Sequence, residues 1–131
     1  MNRSEAAVDS PDVLGWSLAS GLGRIAFGLA MLAAPEPALR ALGFAEVTPA
    51  TVVVTRIAGI RDLVLGVVTM SALDDRRRLR AATLANTTAD AGDTMAFALA
   101  LEHGERSAGS RGLAAALPAA LAGIWTAWRL R

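Results

Sequence analysis

The sequence of 131 residues contains no cysteine, no lysine and no tyrosine, so all 13 basic residues are arginines. Without cysteine the chain can form no disulfide, no thiolate nucleophile and no cysteine-ligated metal site. The single histidine, His103, lies in a polar stretch, and it has no second histidine with which to build a metal site. We therefore predict neither a metal nor a cofactor.

Charged residues are also scarce. They make up 19% of the chain, against 53% hydrophobic residues, whereas ordinary soluble domains are about 25% charged. The formal net charge of +1 leaves no basic stripe of the kind that nucleic-acid binding requires, so nucleic acid is not an expected partner. The length limits the chain to one domain, with room for about four membrane-spanning helices.

The apolar residues form four runs, each close to the ~20 residues with which a helix crosses a bilayer. A soluble bundle would instead carry a polar stripe over about half of each helix, yet nearly all the charged residues lie between the runs. We predict an all-α, four-transmembrane-helix bundle in the lipid bilayer, a single domain over residues 13–131 after a disordered tail over residues 1–12. The predicted spans are 13–34, 50–73, 81–101 and 112–128.

Proline and charge mark the connections between the spans. Pro35 is predicted to end the first helix, because proline has no amide and clashes with the preceding turn. The weakly amphipathic segment 37–45 is then expected to lie flat at the membrane surface. Residues 74–80 are predicted to form a compact charged loop, and residues 102–111 a polar loop.

The arginines outside the spans predict the orientation. With four spans, one side carries Arg3, Arg76, Arg77, Arg78, Arg80, Arg129 and Arg131, and the other carries Arg40, Arg106 and Arg111. Because cytoplasmic loops are enriched in basic residues, we expect a protein of the bacterial inner membrane with both termini in the cytoplasm.

Three arginines and three aspartates remain inside the predicted spans: Arg24, Arg56, Arg61, Asp62, Asp90 and Asp93. A lone charge at the bilayer centre costs about 2.5–3.5 kcal/mol even on a lenient scale, so these residues are expected to pair. Their depths predict that Asp93 pairs with Arg56, and that Asp90 pairs with Arg24 or Arg61.

Helical spacing places these charges on stripes with small residues. The stripes are Ser17, Gly21, Arg24, Gly28 and Met31 on the first span, Arg56, Gly59, Leu63, Gly66 and Met70 on the second, and Thr83, Asn86, Asp90, Asp93 and Phe97 on the third. Small residues allow membrane helices to approach closely, so three facing stripes would enclose a polar core. Arg61 points away from its stripe, which places the second helix centrally or against another protomer.

The segment from Arg56 to Gly66 reads R-x-x-G-x-R-D-x-x-L-G, and D-A-x-D follows at Asp90–Asp93. These motifs resemble those of an uncharacterised family of small actinobacterial four-helix membrane proteins. The resemblance covers roughly residues 14–128. It implies the four-helix fold and singles out the motif's charged residues, but it implies no activity.

Two functions remain open. In the first, the polar core binds a lipophilic or anionic small molecule, or fixes helix packing in an accessory subunit. Intramembrane ionisable residues are functional candidates, and buried ion pairs can serve specificity. The residues expected to bind the molecule are Arg24, Arg56, Arg61, Asp62 and Asn86. In the second, Asp90 and Asp93 act as catalytic acid and base on a lipid-soluble substrate, in an isomerase, cyclase or epoxide-opening reaction.

Two further possibilities are less favoured by the residues. Transfer of a prenyl or phosphoalcohol group would need more carboxylates to bind magnesium and diphosphate. An ion pathway through so short a chain would need a homo-oligomer, which the glycine stripes permit.

Overall fold

A computed structural model describes residues 10–131, and all the regular secondary structure in this part of the chain is α-helix. Its helices are α1 (Pro11–Ala33), α2 (Pro35–Leu42), α3 (Pro49–Met70), α4 (Arg76–Glu102) and α5 (Arg106–Arg129). The predicted all-α class is confirmed. Residues 1–9 of the predicted tail lie outside the described residues, and α1 already includes Pro11 and Asp12.

Local sequence explains where the helices begin and end. Pro35 occupies the first position of α2, where its missing amide costs no hydrogen bond. Thr48 and Thr51 form a reciprocal capping box at the start of α3, each side chain accepting from the other's backbone amide. Gly43 ends α2 with φ of 94°, a left-handed conformation that glycine adopts without steric cost.

Both predicted charged loops are shorter than expected. Helix α4 begins at Arg76, because Asp75 caps it by accepting a hydrogen bond from the Arg78 amide at 3.0 Å and arginine is a good helix former. Helix α5 begins at Arg106, and its first turns pack Ala108 and Gly109 into buried positions. Tertiary packing against α4 therefore extends a helix into a stretch whose sequence is polar.

The four long helices form two tightly packed antiparallel pairs, α1 with α3 and α4 with α5. In the first pair Gly28 faces Gly59 and Gly21 faces Gly66: a Cβ added to Gly28 would lie 2.6 Å from the carbonyl oxygen of Gly59, and one added to Gly66 would lie 2.7 Å from that of Gly21. The backbones thus touch directly, as small residues permit.

The second pair packs differently, because side chains of α4 lie against glycines of α5. Gly112 lies against the ring of Phe97, Gly109 against Leu101, and Gly123 against Thr87. The buried face of α5 otherwise consists mainly of alanines. Helix α5 therefore covers α4 with a smooth surface that carries no charge.

The two pairs touch much less than the helices within each pair. At one end they are joined by an apolar cluster, which contains Val13, Ala72, Leu79, Ala82 and Leu130. At the other end, α2 meets the start of α5, where Arg111 donates a hydrogen bond to the Ala41 carbonyl oxygen at 3.1 Å. The middle of the molecule is left for polar residues and a cavity.

Within residues 10–131, α1 is the one helix that is both long and apolar enough to cross a membrane by length and composition. A single such helix is weak evidence for membrane association. The expected bundle of four membrane spans is therefore not confirmed, although the helical bundle itself is.

The glycine contact between α1 and α3 predicts that Gly28→Ala destabilises the fold, by about 1–3 kcal/mol if it behaves like other overpacked sites. The new methyl group would meet backbone atoms of Gly59 and Leu63 at 2.6–2.7 Å, which cannot move aside as a side chain can. Thermal unfolding in detergent measures the effect. Gly15→Ala is the matched control, because nothing lies within 4 Å of its added Cβ; equal unfolding temperatures for the two variants would contradict the prediction.

Candidate functional site

A cluster of charged side chains lies between the two helix pairs, and Arg24 of α1 is at its centre. Its Nη1 donates to Asp62 Oδ1 of α3 at 2.6 Å, and its Nη2 donates to Asp90 Oδ1 of α4 at 2.5 Å. One guanidinium thus connects three helices and both pairs. The predicted pairing of Asp90 with Arg24 is confirmed.

Arg61 of α3 forms the second connection to α4. Its Nη1 and Nη2 donate to the two carboxylate oxygens of Asp93 at 2.8 and 2.7 Å, the bidentate geometry in which arginine binds carboxylates most strongly. Arg61 Nη2 also lies 3.5 Å from Asp62 Oδ1. The cluster is therefore one continuous network of two arginines and three aspartates.

The predicted pairing of Asp93 with Arg56 is wrong. Arg56 is exposed, and it makes no ion pair with any residue in the described part of the chain. The actual partner of Asp93 is Arg61, which was expected to point away from the interface. The aspartates of α4 face both Arg24 and Arg61, and Arg56 remains on the outer surface of α3.

The error has a simple origin in the phase of α3. Its buried face contains Thr55, Gly59, Asp62, Gly66 and Thr69, so both glycines were predicted on the right face. The other three residues of the predicted stripe, Arg56, Leu63 and Met70, each lie one position after a residue that is buried, an error of about 100° around the helix. The threonines at Thr55 and Thr69, seven residues on either side of Asp62, were the signal that sequence reasoning missed.

The predicted stripes on α1 and α4 agree better with the structure. Ser17, Gly21, Gly28 and Met31 are buried on α1, and Thr83, Asn86 and Asp90 are buried on α4. Asn86 does not reach the charged cluster directly. Its Nδ2 donates to Thr69 Oγ1 at 2.9 Å, a second direct polar link between α3 and α4.

A cavity of about 440 Å³ lies beside the cluster. All five clustered charged residues line it. The rest of its wall is mostly alanine and glycine, with Ser20, Met31, Leu42 and the aromatic rings of Trp16, Phe27 and Phe97. The volume falls in the range of about 300–1,000 Å³ that is usual for small-molecule sites, which are apolar with a few convergent polar groups. Arg56 and Asn86 do not line it.

A smaller recess of about 20 Å³ lies next to the cavity, lined mainly by hydroxyl and amide side chains: Ser17, Ser20, Thr69, Thr83 and Asn86. Asp90 lines both spaces. Ser17 Oγ and Asn86 Oδ1 are buried and have no partner among residues 10–131. The recess has room for about one water molecule, and these atoms are the groups that it would meet.

The carboxylates are not equally available for chemistry. Both oxygens of Asp93 accept from Arg61, whereas Asp62 and Asp90 each use only Oδ1. Within the described residues, no donor lies on Oδ2 of either Asp62 or Asp90, and both side chains line the cavity. These two oxygens are the hydrogen-bond acceptors that the site offers to a bound molecule.

Comparison with family models finds a match over residues 21–130 to a family described as a domain of unknown function, DUF4267. The chain belongs to this family. The matched region includes the whole charged cluster and the full length of helices α2, α3, α4 and α5. The expected membership of an uncharacterised family is thus confirmed, while the family's motifs and actinobacterial origin stay predictions. No curated protein and no solved structure matches the chain.

The position of Arg24 predicts that Arg24→Gln is strongly destabilising. It leaves Asp62 and Asp90 facing each other without their shared cation, and breaking a buried ion pair in this way costs about 3–5 kcal/mol. Chemical or thermal unfolding in detergent measures the loss. Arg56→Gln removes the same charge from an exposed position and should leave stability nearly unchanged.

The triple variant Arg24→Gln, Asp62→Asn, Asp90→Asn removes both carboxylate charges together with the cation. It should recover much of the stability lost in Arg24→Gln, since no uncompensated charge remains. Failure to recover, together with an equal loss in Arg56→Gln, would mean that the guanidinium does not neutralise these carboxylates.

Proposed function

We propose that the chain is a small integral membrane protein that takes a lipophilic small molecule from the bilayer into the central cavity, where the Arg24–Asp62–Asp90 group contacts its polar end. The observation that carries this proposal is the cavity itself, whose wall is mainly apolar apart from five charged side chains at one place and Ser20. The ion pairs have a second consequence, because they also hold the two helix pairs in register.

The distribution of side chains supports a location in the membrane. Large apolar residues are exposed along the outside of the bundle; on α3 these include Val53, Val54, Ile57, Ile60, Val64, Val67 and Val68, each at least 45% exposed. The buried residues are mostly small or polar, apart from a few larger apolar side chains such as Val13, Leu39 and Leu79. A soluble protein has the opposite arrangement, whereas charged residues of membrane helices face the bundle interior.

Four spans are the arrangement that we propose. Helices α1, α3, α4 and α5 have 23, 22, 27 and 24 residues, and each is long enough for a bilayer. Four of the ten charged residues of α3 and α4 belong to the cluster, where they form ion pairs with one another and with Arg24 inside the bundle. With both termini in the cytoplasm, Trp16, Trp125 and Trp128 lie near one surface, as interfacial tryptophans do.

The route from the bilayer lies between α1 and α5, which make few contacts with each other. Trp16 and Phe27 of α1 line the cavity and are 39% and 43% exposed. Gly23, between them, has open space where a side chain would be. A molecule dissolved in the lipid phase could enter here without crossing water.

A second candidate function is catalysis by Asp90, and its unpaired Oδ2 at the cavity wall favours it. In that case Asp93, held at both oxygens by Arg61, is a positioning residue and not the partner acid or base. Binding remains the better supported function, because the site offers one available carboxyl on α4 where the acid–base pair would need two.

Single-cysteine labelling tests the proposed topology, and the cysteine-free chain needs no background substitutions. On intact cells, a membrane-impermeant maleimide should label Glu105→Cys, whereas Ser71→Cys should react only after lysis, because these residues flank opposite ends of the bundle. Val64→Cys should resist labelling in both conditions, since we place its exposed side chain in lipid. Labelling of Val64→Cys, or labelling of Ser71→Cys on intact cells, would contradict the topology.

Filling the cavity tests the proposed binding. The variant Gly23→Leu places a side chain in open space on the cavity wall, and it should weaken binding of the neutral probe 1-adamantanol about tenfold, a loss of ~1.4 kcal/mol. Radiolabelled probe and purified protein in lipid nanodiscs give the measurement. Gly15→Leu, which also meets nothing within 4 Å but lies outside the cavity, should bind as the parent does; equal binding by both variants would rule out this site.

A further inference from the structure

The charges at the cavity do not balance. Within the described residues the lining holds two arginines and three aspartates, a formal charge of −1, and no other ionisable side chain. Arg56, which would supply a third positive charge, lies outside the lining and is exposed. The predicted spans contain three arginines and three aspartates, but the site does not contain equal numbers of the two.

The excess negative charge can be assigned to particular atoms. Asp93 is neutralised by Arg61, which binds both of its oxygens. Arg24 is shared by Asp62 and Asp90 through one oxygen of each, with Arg61 Nη2 a more distant 3.5 Å from Asp62 Oδ1. One guanidinium thus serves two carboxylates, and their Oδ2 atoms accept no hydrogen bond from residues 10–131.

Burial makes this imbalance important. The whole residue is 4% exposed for Asp62 and 8% exposed for Asp90, so little water is available to solvate the extra charge. A buried carboxylate without a full partner is costly, and the cost falls when a positive charge approaches. An anionic ligand would have the opposite effect, because it would add a second uncompensated negative charge.

We infer that the site selects a lipophilic molecule whose polar end is a protonated amine. The ammonium group would donate to Asp62 Oδ2 and Asp90 Oδ2 and restore neutrality, while the apolar body occupies the remaining cavity. Trp16, Phe27 and Phe97 in the wall offer aromatic faces, which attract cations as well as apolar groups. This inference rests on the proposed function and narrows its ligand class, against the anionic alternative.

Three probes of one shape test this inference: 1-adamantylamine, 1-adamantanol and 1-adamantanecarboxylate. Their equilibrium binding to the purified protein in neutral-lipid nanodiscs at pH 7 is measured by competition with radiolabelled 1-adamantanol. The amine should bind at least tenfold more tightly than the alcohol, and the carboxylate more weakly than both. A carboxylate that binds as tightly as the amine, or an amine no better than the alcohol, would overturn the inference.

Matched variants locate the preference. Asp90→Asn and Asp62→Asn each remove the excess charge, and in either one the ratio of amine to alcohol affinity should fall close to one. Thermal unfolding of each variant shows that it is folded. Glu46→Gln neutralises an exposed carboxylate outside the cavity and should keep the parent ratio; loss of the ratio in this control would assign it to the surface and overturn the inference.

The outcomes also separate this inference from the proposed function. If all three probes bind the parent equally and Gly23→Leu weakens all three, the cavity is a binding site but selects no charge, as expected if a bound proton already neutralises the cluster. If Gly23→Leu changes none of them, both the binding function and its ligand class are wrong.

Discussion

The interaction on which the structure depends is the sharing of the Arg24 guanidinium between carboxylates of two other helices. It ties α1 to α3 within one tightly packed pair and connects that pair to α4 in the other. The two pairs make few contacts with each other, and polar bonds of Arg24, Arg61 and Asn86 are among those that join them. Because such bonds fix distance and direction, they set the separation of the pairs and keep the cavity between them.

Close backbone packing and the cavity are two results of the same composition. Glycine at Gly28 and Gly59 lets α1 and α3 approach until their backbones touch, and this concentrates contact within each pair. The small side chains that face the space between the pairs, mostly alanine and glycine, leave it unfilled. Many large apolar residues are instead exposed on the surface of the bundle.

Sequence patterns predicted many of the residues of the site, although not all of the ion pairs that they form. The stripe on α1 and the buried Asn86 and Asp90 on α4 follow from helical spacing and were predicted correctly. On α3 the residues predicted to accompany the two glycines were one position out. Depth in the membrane favoured Arg56 as the partner of Asp93, although the pair is made by Arg61, which has the same chemistry. Only one of the two arginines faces Asp93, and the rotation of α3 about its axis decides which.

The sequence by itself determined the helical class, the proline and threonine signals that begin α2 and α3, and the need for buried charges to pair, because these depend on local geometry and on the cost of a lone charge in an apolar interior. The tertiary structure alone decided that the helices form two pairs, that Arg56 lies outside, and that three carboxylates meet two guanidinium groups at one cavity. These features depend on helix rotation and spacing, which arise only when all four long helices pack together.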